Sequence, residues 1–116
     1  MKDSILAQKS IDFSVQAIKY AQWLQNERRE FILSKQFPRS STSIGANIHE
    51  AIYAVSKADF IAKMQISLKE AFETEYWLIL LKESAFLPDE FLILEPTCRE
   101  LKAMLISTLK SSKSEK

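Results

Sequence analysis

The 116-residue chain contains one glycine, one cysteine, one histidine and three prolines. Each scarcity excludes something. Sandwiches and barrels need many turns and therefore many Gly and Pro, whereas a few long helices need almost none. The lone Cys98 has no partner for an internal disulfide, which fits a reducing cytosol and predicts a cytoplasmic protein. One histidine and one cysteine are too few for the usual zinc sites. The longest apolar run, Tyr76 to Leu81, is far too short to span a membrane. The opening segment MKDSILAQKS has no continuous apolar stretch, so no signal peptide is expected. Charge of one sign is also missing: 16 Lys and Arg face 15 Asp and Glu, a net of +1. Strong non-specific attraction to nucleic acid is therefore not expected, although a local patch could form.

What remains is a helical, core-forming composition. Hydrophobic residues make up 47% of a length that suits one domain. Apolar spacing, at about 100° per residue, predicts four helices over about 3–25, 27–55, 57–84 and 88–110, with a frayed polar tail at 111–116. Helix 1 carries two apolar stripes. Leu6, Phe13, Ala17, Tyr20 and Leu24 form one; Ala7, Ile11, Val15, Ile18 and Ala21 form the other. Together they span about 220°, twice what the surface helix of a monomer presents to one core.

Asn26 is the expected N-cap of helix 2, with Glu27 and Glu30 in its positive first turn. Pro38 predicts a kink near 34–38, or a break with a restart at Pro38. Beyond it Ile44, Ile48 and Ile52 form a core line. Ser56 caps helix 3 with Asp59 at its third position. The main apolar face expected for helix 3 is Phe60, Ile61, Met64, Leu68, Ala71, Phe72 and Ile79, with Ile66, Trp77 and Leu80 as surplus. Pro88 starts helix 4, whose seam is Phe91, Leu94, Cys98, Leu101, Leu105 and Leu109; Pro96 predicts a kink early in it. Short connections make this an all-α, antiparallel up-down four-helix bundle forming one domain over residues 1–116.

The stretch RSSTSIGANIHEA, 39–51, looks at first like a phosphate loop. That motif needs several glycines after a strand, and Gly45 stands alone. Ser40, Ser43, Asn47, Ala51 and Ala54 instead share one arc of a helix, where small side chains let backbones approach closely. Arg39, Ser43, Asn47 and Glu50 share a face. Glu75 falls within the apolar face expected for helix 3. In an antiparallel α-hairpin, residues whose numbers sum to about 114 lie level, which sets Arg39 beside Glu75 and Glu50 one turn from Lys63. This cluster reads as a structural ion pair that fixes register. An acid/base site is the less favoured alternative, because no paired nucleophile and base accompanies it. His49 and Glu50 are adjacent and point about 100° apart, unlike the Glu-x-x-His pairs of di-metal bundles. His49 reads as a surface or interface residue and Cys98 as a small core residue. No metal, cofactor or catalysis is expected.

QFPRSSTSIGANIHEA, followed by SKADFIAKMQISLKEAFETEYWLILL, resembles the bacterial four-helix-bundle family of 23S rRNA intervening-sequence proteins. The match is strongest over 36–82 and rests on Arg39, Ser40, Ser43, Ile44, Asn47, Ile48, Glu50, Asp59, Phe60 and Glu75. Pro38 replaces the usual apolar residue. The family name records a gene location inside rRNA genes. The resemblance implies ring-shaped homopentamers and a kinship with the accessory protein of diversity-generating retroelements, which binds nucleic acid and a reverse transcriptase. That relative is strongly basic, unlike this chain.

Two partners are therefore expected. The first is the chain itself, through Ile11, Val15 and Ile18 on helix 1 and Ile66, Trp77 and Leu80 on helix 3. The second, weaker expectation is nucleic acid or a nucleic-acid enzyme at Arg28, Arg29 and Lys35. Glu27 and Glu30 interleave with that patch, so a solvated helix end is the favoured explanation. No membrane partner is expected.

Overall fold

A computed structural model describes residues 4–114. Four helices form an elongated bundle of 50 × 20 × 20 Å: α1 (Ile5–Glu27), α2 (Leu33–Ile52), α3 (Lys57–Glu83) and α4 (Leu94–Ser114). No strand occurs among the described residues. Each helix packs on the next and α4 closes on α1, so α1 and α3 occupy diagonal corners. No described helix is long and apolar enough to cross a membrane.

The core is a stack of heptad-like layers. It takes Leu6, Phe13, Ala17, Tyr20 and Leu24 from α1, and Phe37, Ile44, Ile48 and Ala51 from α2. From α4 come Leu94, Cys98, Leu101, Leu105 and Leu109, as the spacing predicts. Aromatic rings fill the end where Tyr20 meets Phe37 edge-on, at 5.5 Å between centroids, and Phe91 at 4.9 Å.

Helix boundaries follow local capping chemistry. Ser4 caps α1 by accepting from the Ala7 N–H; the expected start at residue 3 lies outside the described residues. Asn26 is not a cap, because α1 runs through it. The chain leaves α1 through Arg29, in left-handed conformation at φ 54°, so α2 begins at Leu33 instead of 27. Its cap is the Glu30 carboxylate, which accepts the N–H groups of Ile32, Leu33 and Ser34 at 3.1, 2.9 and 2.7 Å. That arrangement satisfies the orphan donors of the first turn and places a negative charge at the positive helix end.

Pro38 lies inside α2 and the helix continues through it without a break. Ser56 caps α3 by accepting from the Asp59 N–H, while the Asp59 carboxylate accepts from the Val55 N–H. α3 ends in a Schellman turn: Phe86 N–H reaches Leu81 O and Ala85 N–H reaches Lys82 O, with Ala85 at φ 63°. The segment expected to open helix 4 is instead a single 3-10 turn, Asp89–Phe91, and α4 starts at Leu94. Pro96 then falls in the first turn of α4, where a missing N–H costs nothing, so it starts the helix instead of bending it. The polar tail is helical as far as Ser114; residues 115 and 116 lie outside the described residues.

Candidate interaction surfaces

The helix 3 phase needs the largest correction. Its buried line is Met64, Ser67, Ala71, Thr74, Leu78 and Leu81, in alternating steps of three and four. Phe72 and Ile79, assigned above to the core, are 49% and 50% exposed. Two hydroxyls hold core positions instead. Ser67 donates to the Ile44 carbonyl at 2.8 Å, and the hydroxyls of Thr74 and Ser40 are 2.8 Å apart. Hydroxyls bonded in this way are tolerated in a core because each has a partner; the buried Ser41 hydroxyl is the exception among the described residues. The small residues of 39–51 thus serve close packing. Ser40, Ser41 and Ala51 are buried, and Gly45 approaches α1, where a Cβ would meet the Ser10 hydroxyl oxygen at 3.2 Å.

The polar cluster does not assemble. Rotating the α3 face carries Glu75 towards α4, where its carboxylate accepts from Lys102 at 2.8 Å and stays partly exposed. Arg39 is largely exposed and approaches Glu73 at 4.0 Å. Glu50 pairs with Lys63 at 3.6 Å, and Asp59 shares the same ammonium at 3.7 Å. Asn47 donates to the Ser43 carbonyl within its own helix at 2.8 Å. Arg39, Glu50 and Glu75 therefore face three different partners. Among the described residues no group of three or more His, Cys, Asp or Glu side chains lies close enough to hold a metal.

Cys98 is buried and its thiol points at the Ala71 carbonyl, 3.6 Å away. Burial, reinforced by Glu75, pushes the thiol up to about 12. The thiolate is thereby suppressed, and with it nucleophilic reactivity. His49 is exposed and packs on Tyr53 at 5.2 Å.

Three apolar surfaces remain in solvent. On α1, Ile11, Val15 and Ile18 are 54%, 44% and 45% exposed and lie on the side of the helix opposite its core line. On α3, Ile66 is 43% exposed, while Trp77 and Leu80 are half-buried, Trp77 donating to Glu73 at 3.3 Å. The third surface was not anticipated. Leu68 and Phe72 lie on the α4 side of α3, facing Ile106, and Ile79 continues that side towards Arg99. Leu68, Phe72 and Ile79 belong to the face that the sequence predicts for the core.

The basic residues divide. The Arg28 guanidinium stacks over Phe86 at 4.6 Å and donates to the Ala85 carbonyl at 3.2 Å, so it fastens α1 to the α3–α4 connection. Arg29 lies over Phe31 at 5.7 Å. Lys35 is exposed on the first turn of α2.

Comparison with known proteins supports the all-helical fold. A crystal structure of a protein of unknown function from the S23 ribosomal protein family of Bacteroides thetaiotaomicron VPI-5482 is 46% identical. It superposes with a TM-score of 0.88, over 91% of this chain and 99% of that one. No curated protein matches. The family model for 23S rRNA-intervening sequence proteins matches residues 2–107, and the chain belongs to that family.

Proposed function

We propose that this protein is a non-enzymatic scaffold whose bundles assemble with one another. The observation that carries the reading is the α1 stripe of Ile11, Val15 and Ile18, turned away from the core it would otherwise serve. An apolar row in that position has no role in a lone bundle and becomes useful when a second surface covers it. Ile66, with Leu80 and the edge of Trp77, offers a different patch on the diagonal helix. Two unlike patches favour a head-to-tail contact, and such contacts close into rings. A ring of five is the form that the family resemblance implies. The dispersal of Arg39, Glu50 and Glu75 supports a role without catalysis. A nucleic-acid accessory role is the weaker reading, since Arg28 is occupied by Ala85 and Phe86.

Light scattering at micromolar concentration tests the assembly, on wild type, Val15→Glu and Trp77→Glu. The wild type should show several times the 13.4 kDa chain mass. Val15→Glu should lower it with helical content retained, and Trp77→Glu should have a smaller effect. A monomeric wild type overturns the assembly, and a dimer overturns the ring.

A further inference from the structure

The groove between α3 and α4 borders the α3 patch just assigned to self-assembly, with Lys69 one turn from Ile66, but opens on the α4 side of the helix. Leu68, Phe72, Ile106 and Leu109 form its floor, and the groove, shallow and open to solvent, measures about 540 Å³. Lys69, Lys110 and Lys113 stand along its rim, and none of the three makes an ion pair among the described residues. Lys102 adds a fourth ammonium at one end, 4.6 Å from the centre of the Phe72 ring. Among the described residues no carboxylate lines the groove; Glu75, just beyond it, is already paired with Lys102. A chain with balanced charge has therefore placed cations of one sign around an apolar floor.

Shape narrows the choice of occupant. Gln65 to Phe72 on α3 and Ile106 to Lys113 on α4 each give about 10 Å of wall, or two helical turns. Two antiparallel helical walls leave a trough into which a third helix packs. Nucleic acid fits less well. Phosphates would meet the lysines but leave the apolar floor of Leu68, Phe72, Ile106 and Leu109 uncovered.

We propose that this groove docks an acidic amphipathic helix of a partner protein. The apolar ridge of that helix rests on Phe72 and Ile106. Its carboxylates meet Lys69, Lys110 and Lys113.

Fluorescence anisotropy tests this with the full chain and a labelled synthetic helical peptide that has a leucine ridge flanked by glutamates. Saturable binding is expected. It should weaken about tenfold in Lys110→Glu/Lys113→Glu and fall with added salt. Val15→Glu should bind normally, because it leaves the groove intact whether or not the bundles assemble. Circular dichroism verifies that each variant is folded. Equal binding of a peptide with lysines in place of the glutamates would overturn the proposal, as would unchanged binding by the double variant. Displacement of the peptide by single-stranded RNA would also overturn it. So would a fall in assembly mass for Ile106→Glu, which would assign the groove to a second copy of the chain.

Discussion

The hydroxyls of Thr74 and Ser40 meet at 2.8 Å in the middle of the bundle, and both residues are fully buried. Each also reaches a carbonyl of its own helix, Glu70 for Thr74 and Phe37 for Ser40. This contact fixes the register of α2 on α3 where larger side chains would force the helices apart. Thr74→Val keeps the shape but leaves the Ser40 hydroxyl with only its longer 3.3 Å contact to the Phe37 carbonyl, and should cost about 1 kcal/mol. Adding Ser40→Ala should recover part of that loss, because both polar partners are then gone. Urea denaturation of the double-mutant cycle measures the coupling; strictly additive losses would show that the two hydroxyls act independently.

Gly45 closes the α1–α2 seam. Its replacement by alanine would ordinarily stabilise a helix by about 0.8–1 kcal/mol. Here the new Cβ meets the Ser10 oxygen at 3.2 Å, and that hydroxyl is pinned by a 2.7 Å bond to the Ala7 carbonyl. Gly45→Ala should therefore fail to stabilise wild type, yet stabilise a Ser10→Ala background. Thermal melts of the four proteins decide it, and the same gain in both backgrounds would dismiss the crowding argument.

The Glu75–Lys102 pair is short but partly wet, with side chains 32% and 17% exposed. A fully buried pair broken on one side would cost about 3–5 kcal/mol. Solvent screening reduces the expectation for Glu75→Gln to about 1 kcal/mol or less. Denaturation at low and high salt checks this, the loss shrinking as salt rises.

Cys98 should resist thiol reagents at pH 8 in the folded protein and react at once in denaturant. Its folded value near 12 lies above the ordinary 9.0, so folding favours the thiol. Its stabilising contribution is complete below pH 9 and disappears as pH rises towards 12. The Tyr20 phenol is raised in the same direction, first by burial and then by Glu30, and donates to the Phe86 carbonyl at 2.7 Å. Stability measured across alkaline pH should fall through this window, and Cys98→Ala should flatten the lower part of the fall.

The helix count, the bundle and the seams at Ile44, Ile48 and Leu94–Leu109 were legible because apolar side chains there repeat with the helix. α3 was misread for a physical reason. Its core line alternates apolar residues with Ser67 and Thr74, whereas Phe72 and Ile79 supply more hydrophobicity on the exposed side. A reading weighted by hydrophobicity rotates the helix towards the wrong face. The Arg39–Glu75 pairing failed with it, although the antiparallel register that joins Glu50 to Lys63 was sound. The turn at 28–32 was hidden because Arg29 occupies a left-handed position that usually announces itself as glycine, and because its cap is a glutamate.

Near residues 20–28, α1 is fastened to the α3–α4 connection by the Tyr20 bond to Phe86 and the Arg28 bond to Ala85. Towards its start it borders a gap of about 420 Å³, shared by Ile5, Gln8 and Asp12 with Ile93 and Thr97. The Lys9–Glu100 pair, 3.1 Å apart and solvent-screened, ties that end to α4 more weakly than the Tyr20 bond ties the other. Amide hydrogens of Leu6 to Ser10 should therefore exchange with deuterium through small openings, while those near Tyr20 to Leu24 wait for the whole molecule to unfold.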